Sequence, residues 1–293
     1  MDIGIVGLGL IGGSLGRDWR ALGHRVWGVS RQAATVEQAV AMGAIDGGST
    51  DLASFHGRPV AVVVICTPLD QVVPTGRALF PHLETTTVVT DVGSVKAPIV
   101  AALEPAWRRF VGGHPMAGTA DQGIQAAQRG LFAGRPYVLT PTATTDPDTL
   151  ACLTTLLRPL GCHLHPCDPA AHDQAVAWIS HLPVLVSAAL VGASCTGPSP
   201  AVLALAQALA SSGFQDTSRV GGGNPDLGLL MARENRPAVA AALDHYRRQI
   251  DYLATLIQTE DWAALHTYLR QTQAGRPAFV APDPPPAAPP QPL

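Results

Sequence analysis

The chain has 293 residues, with 29 Gly and 26 Pro but only 14% charged residues. Its 47% hydrophobic content supplies a sizeable core and excludes wholesale disorder, and length divided by ~150 suggests two domains. A formal charge of -3 lacks the basic face that nucleic-acid binding requires, so no nucleic-acid partner is expected.

At the N-terminus, Ile3–Leu15 is apolar and small. However, Asp2 stands where a signal peptide would be positive, and Arg17-Asp18 closes the run without a convincing cleavage site. Apolar stretches elsewhere fall short of the ~18–20 residues that cross a bilayer, so no membrane association is expected. The runs Asp2–Val6, Arg25–Val29, Val60–Cys66, Thr87–Asp91, Phe110–Gly112 and Tyr137–Thr140 predict strands, with room for crossover helices between several of them. Val60-Ala-Val-Val-Val-Ile65 does not alternate, as expected of a parallel strand buried on both faces. The pattern predicts an α/β class, with an N-terminal doubly wound, Rossmann-type dinucleotide-binding domain over residues 1–167.

From about Pro169 the texture changes. His172–Ser194, Pro200–Ser212, Pro225–Asn235, Pro237–Thr259 and Asp261–Gln273 read as helices with no strand between them, an all-α substrate and dimerisation domain over residues 168–279. Their Ala/Leu-rich faces exceed what one small bundle needs, which predicts a homodimer. Residues 280–293 form a tail, and Ala281–Leu293 holds seven Pro in thirteen residues, expected as disordered or polyproline-like. Cys66, Cys152, Cys162, Cys167 and Cys195 are odd in number and lack CxxC spacing, which suits reduced thiols in a cytoplasm. Cys162, His163, His165 and Cys167 cluster, but a structural zinc draws on two separated segments, so no metal is expected.

Gly7-Leu8-Gly9-Leu10-Ile11-Gly12 follows the first strand and opens a helical run, the setting in which GxGxxG signals a dinucleotide. Gly7 allows the tight turn, Gly9 lets the pyrophosphate approach the backbone, and Gly12 lets the helix pack against the sheet. The amides near Leu10 and Ile11 then face the phosphates, with the helix dipole behind them. The second strand ends Gly28-Val29-Ser30-Arg31 rather than on the carboxylate of NAD sites. Ser30 and Arg31 suit a 2′-phosphate, so NADP is the expected cofactor. Thr67, just past the third predicted strand, is placed with the cofactor residues.

Asp91-Val-Gly-Ser94-Val-Lys96 and Gly112-Gly-His114-Pro-Met-Ala-Gly-Thr119 each end a predicted strand, where an open α/β sheet presents its ligand crevice. A His flanked by glycines there points to chemistry. Asp216-Thr-Ser-Arg219 precedes the glycine run Gly221–Gly223 in the helical part.

With Ile179-Ser-His181-Leu-Pro183, these motifs resemble the prephenate/arogenate dehydrogenase family of tyrosine biosynthesis over about Met1–Gln273, closest to its NADP-dependent cyanobacterial arogenate type. The resemblance implies a cyclohexadienol substrate that loses hydride from C4 and CO2 from C1, aromatising the ring. It implies His114 as general base and Ser94 as partner of that His or of the substrate hydroxyl. Arg219 is implied as the holder of a substrate carboxylate. His181 matches a family His, either touching substrate or packing helices. Asp91 and Lys96 are read as structural partners.

Prephenate-using relatives often carry a second His where Val184 stands, and several have Glu at the position of Ala120. Both departures favour arogenate over prephenate. The β-hydroxyacid dehydrogenase group shares the glycine turn but resembles itself in a helical catalytic Lys, and Lys96 is the only lysine here. A non-catalytic NADPH-sensing module is the rival of another class.

Overall fold

A computed structural model describes residues 1–119 and 121–280. The proline-rich tail from Ala281 and the departure at Ala120 therefore lie outside the described residues. Eight strands, β1 (Asp2–Val6), β2 (Arg25–Val29), β3 (Gly47–Ser49), β4 (Val62–Ile65), β5 (Val88–Asp91), β6 (Phe110–Pro115), β7 (Pro136–Thr140) and β8 (His163–Pro166), form one sheet of order β3-β2-β1-β4-β5-β6-β7-β8. The first six run parallel in the doubly wound order. β7 is antiparallel to β6, with His114 opposite Val138, and β8 runs parallel to β7.

Among the described residues, twelve α-helices accompany these strands. α1 (Leu10–Ala21), α2 (Ala33–Ala41), α3 (Val72–Leu79), α4 (Ala97–Leu103) and α5 (Pro147–Leu157) lie between strands in the chain. α6 (Pro169–Val176), α7 (Leu182–Thr196), α8 (Pro200–Leu209), α9 (Ser212–Ser218), α10 (Pro225–Glu234), α11 (Arg236–Gln258) and α12 (Trp262–Gly275) follow without an intervening strand among the described residues.

The sheet is apolar on both faces because successive side chains point to opposite sides. Ile3, Ile5, Val62 and Val64 join Leu15 and Trp19 of α1 and Leu153 and Leu156 of α5 in one core. Val63, Ile65 and Val89 join Val72 and Leu79 of α3 and Ile99 and Leu103 of α4 in the other. The run around Val62–Ile65 is thus continuous in apolarity because both faces are covered.

The shortest strand and the edge strand were not among the predicted ones. Gly47–Ser49 has no strand-forming side chains and is held by backbone pairing with Trp27–Val29. His163–Pro166 is an exposed edge strand aligned with Pro136–Leu139. Phe110–Pro115 runs three residues beyond its predicted end, because the segment past Gly112 pairs with β7.

α6 and α7 are joined by a π-helical turn, Ala177–His181. Pro183 lacks an amide hydrogen and its ring crowds the carbonyl four residues back, which accounts for a widened turn there. Against expectation, the joined run Pro169–Thr196 is long and apolar enough to cross a membrane by length and composition, with a mean hydropathy of 1.8 in its most apolar window. Uninterrupted apolar residues alone fall short of that length, whereas the helix continues through His172, Asp173 and His181.

The chain divides into two compact units, Met1–Ala240 and Ala241 onward. The first holds the sheet and α1–α10. Within the second, Asp261 caps α12 by accepting from the Ala264 amide at 3.0 Å, and the rings of Tyr252 and Tyr268 lie 6.0 Å apart.

Candidate active site

Because β1, β2, β4, β5 and β6 are parallel, their carboxyl ends share one edge of the sheet. Gly7, Ser30, Thr67 and Ser94 follow four of those ends, and His114 stands in the last turn of residues of β6. The Gly7 amide donates to Val29 O at 2.8 Å, which holds the glycine turn beside the end of β2.

Each glycine of the turn has its own constraint. Gly7 has φ +101, and a Cβ there would lie 2.5 Å from Cys66 O, so both conformation and space demand glycine. A Cβ on Gly12 would lie 2.1 Å from Gly7 O. At Gly9 a Cβ would meet no protein atom within 4 Å, leaving the backbone open on that side. α1 starts from Gly9 with no side-chain cap and no acidic residue in its first turn. Its first amides at Leu10 and Ile11 thus present an uncompensated positive helix end. Arg31 is exposed and Ser30 half-buried beside this turn, and the Thr67 Oγ1 is buried with no hydrogen-bond partner. A dinucleotide fits these residues: open backbone at Gly9, helix amides at an uncapped N-terminus and an unpartnered hydroxyl stand at neighbouring strand ends.

Deeper along the edge lies a buried polar network. Lys96 Nζ donates to Asp91 Oδ2 and, at 2.8 Å, to the Gly113 carbonyl. Asp91 also accepts from the Gly93 amide at 2.8 Å and the Gly113 amide at 3.1 Å. Burial pushes the Lys96 ammonium below its ordinary pKa, opposed by the Asp91 charge. Asp91 and Lys96 thus clamp the backbone that carries His114, in agreement with a structural role.

His114 is 8% exposed. Its Nδ1 lies 2.9 Å from Nε2 of His172, whose Nδ1 lies 2.8 Å from Asp173 Oδ1. The Asp173 carboxylate also accepts the amides of Lys96 (2.6 Å) and Ala97 (2.8 Å) at the start of α4. Burial, reinforced by His172, Lys96 and His181, holds His114 well below the ordinary imidazole pKa, so it is neutral at neutral pH.

His181 closes the cluster at the end of the π turn. Asn235 Nδ2 lies 2.7 Å from the Asp173 carbonyl, which can only accept, and 3.2 Å from His181 Nδ1. That carbonyl identifies the Asn235 atom as the NH2 group, so His181 Nδ1 accepts and its Nε2 carries the proton. The Nε2 is buried and has no partner among the described residues, a donor waiting for an acceptor. Burial lowers the His181 pKa to about 4.

The structure brings His114 and His181 into one cluster. Ser94 stands at the same edge, but its buried Oγ bonds to nothing, His114 included; Nδ1 of His114 is already engaged by His172. Arg219 stands apart, exposed at the start of a short 3-10 turn, Arg219–Gly222, that is tied to α7 where Ser187 Oγ accepts the Gly221 amide at 2.8 Å. No hydrogen bond or ion pair reaches its guanidinium among the described residues. Val184 borders Gly228 of α10.

Sequence reasoning missed His172, Asp173 and Asn235. The His-Asp pair at 172–173, nine residues before His181, was an available signal: two adjacent polar residues near the start of an apolar helix. Among the described residues no group of three His, Cys, Asp or Glu side chains suits a metal.

Residues 15–165 match the family model described as prephenate dehydrogenase, nucleotide-binding domain, and residues 168–271 match prephenate dehydrogenase, dimerization domain. The chain is 32% identical to prephenate dehydrogenase of Bacillus subtilis over 272 residues, covering 91% of this chain and 72% of that protein. It is similar to the crystal structure of Synechocystis arogenate dehydrogenase, with 51% identity, 96% and 100% of the two chains covered, and TM-score 0.85. It is also similar to prephenate dehydrogenase of A. aeolicus solved with hydroxyphenyl propionate and NAD+, with 29% identity, 96% and 98% coverage, and TM-score 0.90.

Proposed function

The chain belongs to the prephenate dehydrogenase family, and from that premise we propose that it carries out the NADP-dependent oxidative decarboxylation of L-arogenate to L-tyrosine. The observation that carries the reaction type is His114, a neutral imidazole at the carboxyl end of β6 with Nε2 free of protein partners among the described residues.

His114 Nε2 accepts the proton of the ring 4-hydroxyl as hydride departs from C4. A bound nicotinamide supplies the hydride acceptor. Loss of CO2 from C1 completes aromatisation, and no protein group need add to the ring. Ser94 Oγ hydrogen-bonds the 4-hydroxyl, the His181 Nε2–H donates to a substrate oxygen, and Arg219 holds a substrate carboxylate. Gly7, Gly9, Gly12, Thr67 and the amides of Leu10 and Ile11 hold the dinucleotide, while Ser30 and Arg31 take its 2′-phosphate.

Arogenate is favoured over prephenate by the 51% identity to an arogenate dehydrogenase and by Val184 in place of a second histidine. The second reading, prephenate or dual use, draws on the relatives named prephenate dehydrogenase and, in Zymomonas mobilis, cyclohexadienyl dehydrogenase at 28% identity. The deciding experiment measures rates for arogenate and prephenate with NADP+ and NAD+. Fastest turnover of arogenate with NADP+ is expected. A higher kcat/KM for prephenate overturns the substrate, and NADPH binding with no turnover of either overturns the enzyme reading.

The working unit is a homodimer through α7–α10. Val202, Leu205, Leu209, Leu227 and Leu229 are 48–70% exposed in one chain, within the span that matches a dimerization domain. The five cysteines are free thiols, which fits a reducing cytoplasm.

A further inference from the structure

The hydrogen-bond chain behind His114 has a definite direction. Asp173 is a carboxylate that already accepts two backbone amides, Lys96 N and Ala97 N. It therefore accepts from His172 as well, which puts the His172 proton on Nδ1 and leaves Nε2 as a lone pair. That lone pair lies 2.9 Å from Nδ1 of His114, so Nδ1 of His114 carries the proton and Nε2 is the free base. The opposite tautomer of His114 would set two lone pairs against each other in a buried site, would require His172 to turn a lone pair toward a carboxylate, or would need a second proton on His172, a charge placed in a 2% exposed ring.

We propose that His172 and Asp173 are positioning residues that hold His114 in the Nδ1–H tautomer and at a fixed ring angle, with Nε2 presented as the base. The role assigned to Nε2 rests on the dehydrogenase reading above; the tautomer itself does not. The geometry is closed on every side. Asp173 is held by the start of α4 and, through its carbonyl, by Asn235. The rings of His114 and His172 meet nearly edge-on at 77° with centroids 5.1 Å apart, and His172 is 2% exposed. The charged and titratable groups around His114 are Lys96 and Asp91 beneath β6, His172 and Asp173 from α6, His181 from the π turn and Tyr137 from β7. Of these, His172 bonds its ring in the structure.

Once Nε2 takes a proton, the imidazolium still donates Nδ1–H to His172, whose own Nδ1–H faces the Asp173 carboxylate. The positive charge thus meets an oriented dipole and an anion two bonds away, with no group needing to rotate.

The test compares His172→Phe, which keeps the ring's bulk but removes the acceptor, with His172→Gln, whose side-chain oxygen restores an acceptor near the same place. In 15N-labelled protein the His114 ring nitrogens report the tautomer directly. The expected results are Nδ1–H in the wild type, mixed or Nε2–H in His172→Phe, and recovery of Nδ1–H in His172→Gln. For the arogenate reaction, His172→Phe should lower kcat by about 10²-fold, the lower end of general-base effects. KM for NADP+ should change less than about threefold, and His172→Gln should regain at least about tenfold of the loss. Wild-type His114 in the Nε2–H form, or His172→Phe with unchanged tautomer and kcat, overturns the proposal. If His172→Phe does not fold, the wild-type spectrum and the Gln variant still decide it. A protein that shows the Nδ1–H tautomer but turns over no cyclohexadienol would keep the positioning network and discard the dehydrogenase reading.

Discussion

Val62–Ile65 and helix α8 are both short, apolar and free of charge, yet they end in opposite environments. Every residue of β4 is at most 1% exposed, because α-helices of the same chain cover both faces of the sheet. In α8 no residue is buried, and Leu205 and Leu209 are 59% and 70% exposed. The difference teaches that apolar content alone does not reveal what covers a surface. In the sheet it is this chain, and under the homodimer reading α8 is covered by a second copy.

The same contrast separates the two sets of site residues. His114, His181 and their partners are buried and fixed by hydrogen bonds, while Arg31 and Arg219 stand exposed. The largest expected effect is therefore at the buried edge. His114→Asn should lower kcat by about 10²–10⁴-fold with NADP+ affinity nearly intact, measured by steady-state kinetics beside a cofactor titration. A variant that retains more than about a tenth of wild-type kcat removes His114 as the base.

Next comes the core. Leu15→Ala, at a 0% exposed position between α1 and the sheet, should cost about 2–5 kcal/mol of stability, read from denaturant midpoints. The matching change on α8, Leu205→Ala, should move the dilute protein by no more than ~0.5 kcal/mol, with any further loss growing with protein concentration. Leu205→Asp sharpens the point: light scattering should give a mass near twice 30.4 kDa for the wild type and near one chain for the variant. A wild type that runs as a single chain refutes the dimer.

At the exposed cofactor edge, Arg31→Asp should reverse or abolish the preference for NADP+ over NAD+, compared through kcat/KM. An unchanged ratio removes Arg31 from the 2′-phosphate site.

Stability also depends on pH. His181 titrates near 4 in the folded protein against about 6.5 in an unfolded chain, and His114 shifts the same way. Between those values the unfolded state binds more protons, so stability is full above about pH 6.5 and declines as pH falls toward 4. Activity should likewise persist below the ordinary imidazole pKa before it drops. Thermal melts and rates at pH 4–8 check both, and a stability that rises on acidification contradicts the buried neutral histidines.

Much of this was legible in the chain. The bounds of β1 and β2 agree with the predicted runs Asp2–Val6 and Arg25–Val29, because β-branched residues there are bounded by turn residues. Gly7 and Gly12 were legible because their constraints are local: a left-handed turn and the first turn of a helix that starts three residues later. β3 was not, since Gly47-Gly-Ser49 has no strand pattern and forms only on the template of β2. β8 was not, since His163–Pro166 drew notice as a cluster of metal-binding residue types rather than as an edge strand.

What the sequence by itself determined is the doubly wound class, the glycine turn and the histidine at a strand end, all set by residues close together in the chain. What only the tertiary structure decided is the state of that histidine. Lys96, His114, His172, Asp173 and Asn235 converge from four separate segments. A tautomer is set by the direction of hydrogen bonds between atoms that meet only in three dimensions, so no spacing along the chain encodes it.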